Sequence, residues 1–169
     1  MTTQINVIFP DVSNDVTPLY EGTPKVLYLL HGLSGNSDEW TRFSKIEYYA
    51  KKGIVLQDLG THSTESCDYP LIARKMTNAV LNREADLGIL ICGTGIGISI
   101  AANRVKGIRA ALLYNAEVAR LAKQHNNANI VVFGGRTQKF EDVVSYLDVF
   151  LNAEFEGGRH LRRIGELDE

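Results

Sequence analysis

The 169-residue sequence has few cysteines and no long apolar run, and each shortage excludes a class of protein. Two cysteines, Cys67 and Cys92, are too few for a disulfide framework or a cysteine metal cage. No stretch approaches the roughly 20 apolar residues that a membrane span requires. The start of the chain lacks the basic and apolar regions of a secretion signal, so we expect a cytoplasmic protein that does not bind membranes.

An excess of positive charge is also missing. The formal net charge is -2, and 22% of the residues are charged. Such a chain has no overall positive field to attract nucleic acid, so we expect no nucleic-acid partner. A phosphate group, if one is bound, must therefore be met by a few cations placed close to it.

The apolar residues, 44% of the chain, occur in short runs that alternate with longer amphipathic stretches. This alternation is typical of parallel strands joined by helices. The sequence predicts a single α/β domain over residues 1–169, with a doubly wound, Rossmann-like, mostly parallel sheet of five to six strands in a three-layer α/β/α arrangement. The strands are predicted near residues 5–9, 25–30, 54–58, 87–92, 109–113 and 129–133, and the helices near residues 37–52, 69–83, 96–104, 116–124, 141–152 and 159–167.

A glycine-rich turn follows the apolar strand at residues 87–92. Its sequence is Cys-Gly-Thr-Gly-Ile-Gly at positions 92–97, with glycines at Gly93, Gly95 and Gly97. Alternate glycines leave the backbone bare, so that several N–H groups can point at one anion. The other interpretation is a tight turn with no ligand. A dinucleotide-binding turn is disfavoured because Ile98 stands where the third glycine belongs, and no Gly-Lys-Ser/Thr triplet of a phosphate loop occurs.

Cys92 begins this turn, and its position leaves two interpretations open. A cysteine at the end of a buried strand is most often a small core residue. Backbone N–H groups aimed at the sulfur would stabilise its thiolate, which could then act as a base. Cys67 lies in a polar stretch without such a turn, so we expect no role for it.

Six segments of residues 53–169 resemble the type B ribose-5-phosphate isomerases, a family that includes the galactose-6-phosphate isomerase subunits. They occur in the family's order and spacing. The segments are residues 58–61, 68–70, 88–103, 107–110, 125–129 and 155–160.

The resemblance implies an aldose–ketose isomerisation through an enediolate, with ribose 5-phosphate and ribulose 5-phosphate as the expected pair and with no metal and no cofactor. Cys92 would be the base that moves a proton between C1 and C2. The N–H groups of residues 93–97 and the Thr94 hydroxyl would hold the enediolate. His125 would help to open the furanose ring, with Asn126 beside it.

The resemblance also implies a phosphate clamp and a partner. Arg159 and Arg163, four residues apart on the last predicted helix, would meet the phosphate together. The family's site lies between two subunits, so a homodimer with shared active sites is implied. Without the resemblance, His125 reads as a helix cap or surface residue, and the two arginines read as an ordinary solvated helix face.

The N-terminal segment departs from the family. Family members end their first strand in an Asp-His pair that contributes to the binding of sugar and phosphate. Here the strand ends in Leu30 and His31, so the histidine is present and the aspartate is missing. Residues 1–52 resemble the start of an α/β-hydrolase of the tributyrin esterase and formylglutathione hydrolase type, with a His-Gly-x-x-Gly loop at 31–35. This suggests a chimera in which His31 is the remaining substrate-binding side chain of that wall.

Three hypotheses about function follow. The first is a sugar-phosphate isomerase. The second is an α/β scaffold that binds phosphate but is catalytically weakened or silent, because the Asp-His pair is absent. The third is a carboxylesterase, which is disfavoured because no Gly-x-Ser-x-Gly nucleophile elbow occurs in the chain.

Overall fold

The structure, a computed structural model, describes residues 26–31, 55–60 and 66–169. The predicted strand at 5–9 and the predicted helix at 37–52 lie outside these ranges. The elements in chain order are β1 (Val26–His31), β2 (Val55–Asp58), α1 (Tyr69–Leu81), β3 (Leu87–Cys92), α2 (Ile96–Ala102), β4 (Ala110–Leu112), α3 (Ala116–Gln124), β5 (Ile130–Gly134), α4 (Phe140–Leu151), α5 (Arg159–Gly165) and a 3-10 turn at Glu166–Asp168.

The strands form one parallel sheet in the order β2-β1-β3-β5-β4. Within the described residues the sheet has five strands, and with helices on both faces it confirms the doubly wound α/β/α class. The chain places β2 on one side of β1 and β3 on the other, so the strand order reverses between β1 and β3. Ligands of open α/β sheets bind at the carboxyl ends of the strands at such a reversal.

The core lies in two layers because successive side chains of a strand point to opposite faces. In β5, Val131 and Phe133 pack with α3 and α4, whereas Ile130 and Val132 pack with α1 and α2. These four side chains are all fully buried. β5 is therefore a central strand whose position is fixed from both faces.

Most predicted elements are found within one or two residues of their expected ends. The predicted bounds of β3 and α3 are those of the structure. The predicted helix at 69–83 is two residues too long, because Arg83 takes a left-handed φ of 61° and α1 ends at Leu81. The last predicted helix, at 159–167, divides into α5 and the 3-10 turn. Among the described helices, none has the length and apolarity needed to span a bilayer.

Candidate active site

Cys92 is the last residue of β3 and a free, half-buried thiol. Its backbone is held by the neighbouring strand, because Cys92 pairs with Gly134 and its carbonyl accepts a hydrogen bond of 2.8 Å from the Gly135 N–H. The Cys92 side chain packs against the core layer that the sheet forms with α1 and α2. The thiol thus stands at the carboxyl edge of the sheet, partly open to that edge.

The turn after Cys92 has glycines where the fold leaves no room for a side chain. Gly95 has a φ of 78° and precedes the first residue of α2. A Cβ on Gly95 would lie 2.5 Å from Leu112 Cδ1 and 3.1 Å from the Phe133 carbonyl oxygen. A Cβ on Gly97 would lie 2.8 Å from Cζ of the Tyr69 ring. The turn is therefore pressed against β5 and α1, which fixes the direction of its N–H groups.

Thr94 is exposed at the tip of this turn. Its Oγ1 accepts a hydrogen bond of 3.3 Å from the Ile96 N–H. Its carbonyl packs against Gly134, where a Cβ would lie 2.8 Å from that oxygen. A hydroxyl that accepts through its oxygen can still donate its hydrogen, so Thr94 can serve as a donor to a bound oxygen.

Arg136 is a cation of the site that the sequence analysis did not single out. Its N–H donates a hydrogen bond of 2.9 Å to the Gly93 carbonyl, and its guanidinium covers Gly93, with Cζ and Nε 3.2 Å from the place of a Cβ. The side chain is exposed. The sequence signal for Arg136 is the Gly-Gly-Arg run at the end of a buried parallel strand. The carboxyl ends of parallel strands lie at one edge of the sheet, so this run must lie at the same edge as Cys92.

His31 lies at the same edge as Cys92. It is the last residue of β1, and its Cα partner in β3 is Ile91, the residue before Cys92. The backbone at His31 is thus at the strand reversal, beside the glycine-rich turn.

His125 belongs to a second group of polar side chains, away from Cys92. Its ring is stacked on that of His160, with centroids 4.1 Å apart and an interplanar angle of 7°. Glu156 Oε2 lies 3.7 Å from Nε2 of His125 and 3.6 Å from Nε2 of His160. Arg159 donates its Nε–H to His160 Nε2 at 3.5 Å. Among the described residues, the composition that could hold a metal ion is found in His125, Glu156 and His160, whose ligand atoms lie within 4.8 Å of one another.

His160 is buried, with 6% of its surface exposed. Burial lowers the pKa of His160 below its ordinary 6.5, and the neighbouring His125 and the guanidinium groups of Arg159 and Arg163 lower it further, against an opposing effect of the Glu156 carboxylate. The neutral form of His160 is therefore favoured, in agreement with Nε2 acting as an acceptor from Arg159.

Cys92 with its glycine-rich turn lies at one edge of the sheet, and the group around His125 lies at the opposite edge. Asn126 follows His125, and its carbonyl accepts a hydrogen bond of 3.0 Å from Nε of Arg109, the residue directly before β4. This places His125 and Asn126 at the amino edge. Cys92 pairs with Gly134 at the other end of β5, and a five-residue strand is about 13 Å long.

The arginines predicted for the phosphate accompany the second group. Arg159 is the first residue of α5 and Arg163 lies one turn further, and both are exposed. The structure thus joins Cys92 with the glycine-rich turn, and joins His125 with Arg159, but it does not bring these two sets together within one chain.

Comparison with known proteins decides the family. The family model described as ribose/galactose isomerase matches residues 42–167. The chain belongs to the ribose/galactose isomerase family. Its enzyme class is accordingly that of a sugar-phosphate isomerase, an intramolecular oxidoreductase.

Individual members of the family are similar over most of their length. Ribose-5-phosphate isomerase B of Escherichia coli is 44% identical over 119 residues, which are 70% of this chain and 80% of that protein. A crystal structure of a ribose 5-phosphate isomerase from Thermotoga maritima is 46% identical, with a TM-score of 0.76 over 87% of this chain and 99% of that one. The type B enzyme of Leishmania infantum is 38% identical, with a TM-score of 0.78 over 86% and 95% of the two chains.

The family match begins ahead of residue 53, where the resemblance was expected to start. The esterase-like segment at 1–52 is described only at β1, which pairs with β2 and β3 in the sheet. Its origin, and with it the chimera, stays a prediction.

Proposed function

We propose that this protein interconverts ribose 5-phosphate and ribulose 5-phosphate through an enediolate, with Cys92 as the base. The observation that carries the proposal is the free Cys92 thiol at the strand reversal, beside a glycine-rich turn covered by the Arg136 guanidinium. The choice of sugar is supported by the relatives from Escherichia coli and Thermotoga maritima, which are named as ribose-5-phosphate isomerases.

The reaction moves one proton from C2 to C1 and one from the C2 oxygen to the C1 oxygen, and it needs no net oxidant. In the open-chain aldose, the Cys92 thiolate removes the C2 proton, and the electron pair forms the C1–C2 double bond while the carbonyl oxygen at C1 becomes negative. Backbone N–H groups of residues 93–97 and the Thr94 hydroxyl stabilise that oxygen. The thiol then returns the proton to C1, the C2 hydroxyl passes its proton to the negative O1 oxygen, which becomes the C1 hydroxyl, and the C2 carbonyl of the ketose forms. The half-buried position of Cys92 limits water at the sulfur and suits this transfer.

The remaining groups come from a second copy of the chain. His125, Asn126, Arg159 and Arg163 lie at the amino edge, about 13 Å of strand away from Cys92, so one chain does not assemble the site. A homodimer that sets the amino edge of one copy against the carboxyl edge of the other does so twice, by symmetry.

A surface beside the glycine-rich turn supports such a dimer. Ile96 and Ile100 are one turn apart on α2 and are 54% and 60% exposed. Residues at this spacing share one helix face. Apolar side chains exposed directly beside a candidate site are typical of a surface that another chain covers.

In this dimer the phosphate lies among three guanidinium groups. Arg136 is supplied by the chain that holds Cys92, and Arg159 and Arg163 are supplied by the partner. His31 at the strand reversal contributes to the sugar-binding wall. Each charge-assisted hydrogen bond to the phosphate stabilises binding by about 1.5–3 kcal/mol.

The base is tested by Cys92→Ala, with Cys67→Ala as the matched control at the other half-buried cysteine. The rate of ribulose 5-phosphate formation should fall by at least about a hundredfold in the first variant and stay unchanged in the second. Unchanged turnover in Cys92→Ala removes the assigned base. A wild-type protein that folds, binds phosphate and shows no turnover fits the silent scaffold instead.

The shared site is tested by mixing two inactive variants, Cys92→Ala and His125→Asn, after they are unfolded and refolded together. A mixed dimer has one site with both native residues, so random pairing should restore about a quarter of the wild-type activity. Recovery no greater than the sum of the separate variants would place both residues in one chain's site.

The phosphate clamp is tested by Arg163→Gln, with Arg162→Gln as the control on the same helix. Arg162 points to solvent and pairs with Glu166 at 3.2 Å, so its loss should leave KM unchanged. The KM of Arg163→Gln should rise about tenfold or more. Equal effects in the two variants would show a general effect of charge.

A further inference from the structure

Glu156 has no role in the reaction described so far, yet its carboxylate lies close to two histidines. Its Oε2 lies 3.7 Å from His125 Nε2 and 3.6 Å from His160 Nε2. About half of the Glu156 side chain is exposed, whereas His160 is buried. A single acidic group thus reaches a catalytic candidate and a buried neighbour at the same time.

The backbone holds Glu156 in this place. Its N–H donates a hydrogen bond of 3.0 Å to the carbonyl of Gln124, the residue directly before His125. The His125 N–H in turn donates a hydrogen bond of 2.8 Å to the Leu121 carbonyl at the end of α3. The carboxylate and the imidazole are therefore fixed to the same end of one helix.

The chain turns back after Glu156 so that His160 can meet His125. Gly157 and Gly158 take φ values of 65° and 55°, which glycine adopts at little cost. His160 follows as the second residue of α5, and its N–H donates a hydrogen bond of 3.0 Å to the Gly157 carbonyl. The stacked ring of His160 restricts the tilt of the His125 ring.

A metal ion does not fit this arrangement. A metal bound to imidazole lies in the ring plane, on the lone pair of the nitrogen, at about 2.1 Å. The rings of His125 and His160 are nearly parallel at 4.1 Å, so one ion cannot lie in both planes. The lone pair of His160 Nε2 is also directed at the Nε–H of Arg159. The geometry of these side chains therefore favours hydrogen bonding and ion pairing over metal binding.

The two histidines differ in what they can do. His160 is buried, and its Nε2 accepts a hydrogen bond from Arg159. The side chain of His125 is 34% exposed. The Glu156 carboxylate therefore lies beside one partly exposed imidazole, that of His125, and one buried imidazole, that of His160.

We propose that Glu156 is a positioning residue for His125 in the opening of the furanose ring, an inference that rests on the proposed function. Ring opening breaks the bond between C1 and the ring oxygen. The anomeric hydroxyl loses its proton to water as the C1 carbonyl forms, and the ring oxygen receives a proton from the His125 imidazolium. Glu156, 3.7 Å from Nε2, balances the charge of the imidazolium, while the stacked His160 ring fixes the ring plane.

The two sugars allow ring opening to be separated from the enediolate step. Ribose 5-phosphate is a furanose and must open, whereas ribulose 5-phosphate is acyclic, because its 5-hydroxyl carries the phosphate. With ribulose 5-phosphate in D2O, two quantities are measured: the ketose consumed and the deuterium that enters C1 of the remaining ketose. Their sum reports on the enediolate step alone, because both require that step and neither requires ring opening.

The test compares Glu156→Gln with Glu154→Gln, which removes the same charge from an exposed position two residues earlier. In Glu156→Gln, kcat from ribose 5-phosphate should fall about tenfold or more with little change in KM, while the total flux from ribulose 5-phosphate stays within about twofold of wild type. Glu154→Gln should match wild type in both measurements. Urea unfolding of the three proteins provides the folding control.

Two results overturn the inference. One is a Glu156→Gln variant with the wild-type kcat from ribose 5-phosphate. The other is an equal loss in both measurements, which indicates a structural role only. If the wild-type protein processes neither sugar, the proposed function itself fails, and the role of Glu156 fails with it.

Discussion

Replacing Gly95 by alanine tests whether the glycine-rich turn is as tightly constrained as the structure indicates. Gly95 has a φ of 78°, which costs an L-residue about 1–2 kcal/mol. The new methyl would lie 2.5 Å from Leu112 Cδ1 and 3.1 Å from the backbone of Phe133. Leu112 can move in part, but the Phe133 backbone belongs to the central strand β5 and cannot.

The magnitude follows from adding the two costs. Overpacking by one methyl costs about 1–3 kcal/mol, so Gly95→Ala should lower the free energy of unfolding by about 2–5 kcal/mol. In a chain of this length, 3 kcal/mol corresponds to a fall in Tm of about 6–12 °C. Urea and thermal unfolding at one fixed protein concentration measure it, because the stability of the proposed dimer would depend on concentration.

Gly165→Ala is the matched control. Gly165 has helical dihedral angles of -59° and -34°, and nothing lies within 4 Å of the place of its Cβ. The same substitution there should raise the free energy of unfolding by about 0.4–1 kcal/mol, because alanine restricts the unfolded chain. A Gly95→Ala variant as stable as wild type would refute the constraint on this turn, and a loss of similar size in both variants would refute its local cause.

Three further predictions concern other parts of the molecule. His160→Asn should reduce the pH dependence of stability. The folded-state pKa of His160 lies below 6.5, so the unfolded chain binds the proton first and the wild type loses stability as the pH falls through 6.5. Urea unfolding at about pH 7.5 and 5.5 should show a smaller loss of stability in the variant than in the wild type. Asn129→Ala should cost about 1–3 kcal/mol in urea unfolding, because the Asn129 amide donates to the Gly107 carbonyl and accepts from the Arg109 N–H, both at 2.8 Å; an undiminished midpoint would contradict this. Ile100→Asp should convert the proposed dimer into a monomer in size-exclusion chromatography with light scattering, and an unchanged mass would place the interface elsewhere.

The strand and turn around Cys92 could be predicted because local signals agree there. Leu87–Cys92 is apolar throughout and ends at a glycine-rich run, so its period, its length and its stop all indicate a buried strand. The bounds of Ala116–Gln124 were also predictable, since the side chain of Asn115 caps the first turn by accepting from the Val118 N–H at 2.7 Å.

The position of Arg136 and the role of Glu156 could not be predicted in the same way. Arg136 meets Gly93 only because β3 and β5 are neighbours in the sheet, although α2, β4 and α3 separate them in the chain. Glu156 meets His125 through one backbone hydrogen bond to Gln124 across more than 30 residues. Contacts of this kind are set by tertiary packing: the Gly-Gly-Arg run indicates the sheet edge at which Arg136 lies but not its contact with Gly93, and no local pattern encodes the approach of Glu156 to His125.

The distribution of charge connects the fold with the proposed assembly. A net charge of -2 gives the chain no general attraction for a phosphate, so the cations must be local. At the carboxyl edge of the sheet one chain offers Arg136 and a turn of backbone donors, and at the amino edge it offers Arg159 and Arg163 on α5. Neither set alone surrounds a phosphate next to a base. In the proposed dimer, two copies joined edge to edge would place both sets around one anion, so that assembly would supply the positive field that the single chain lacks.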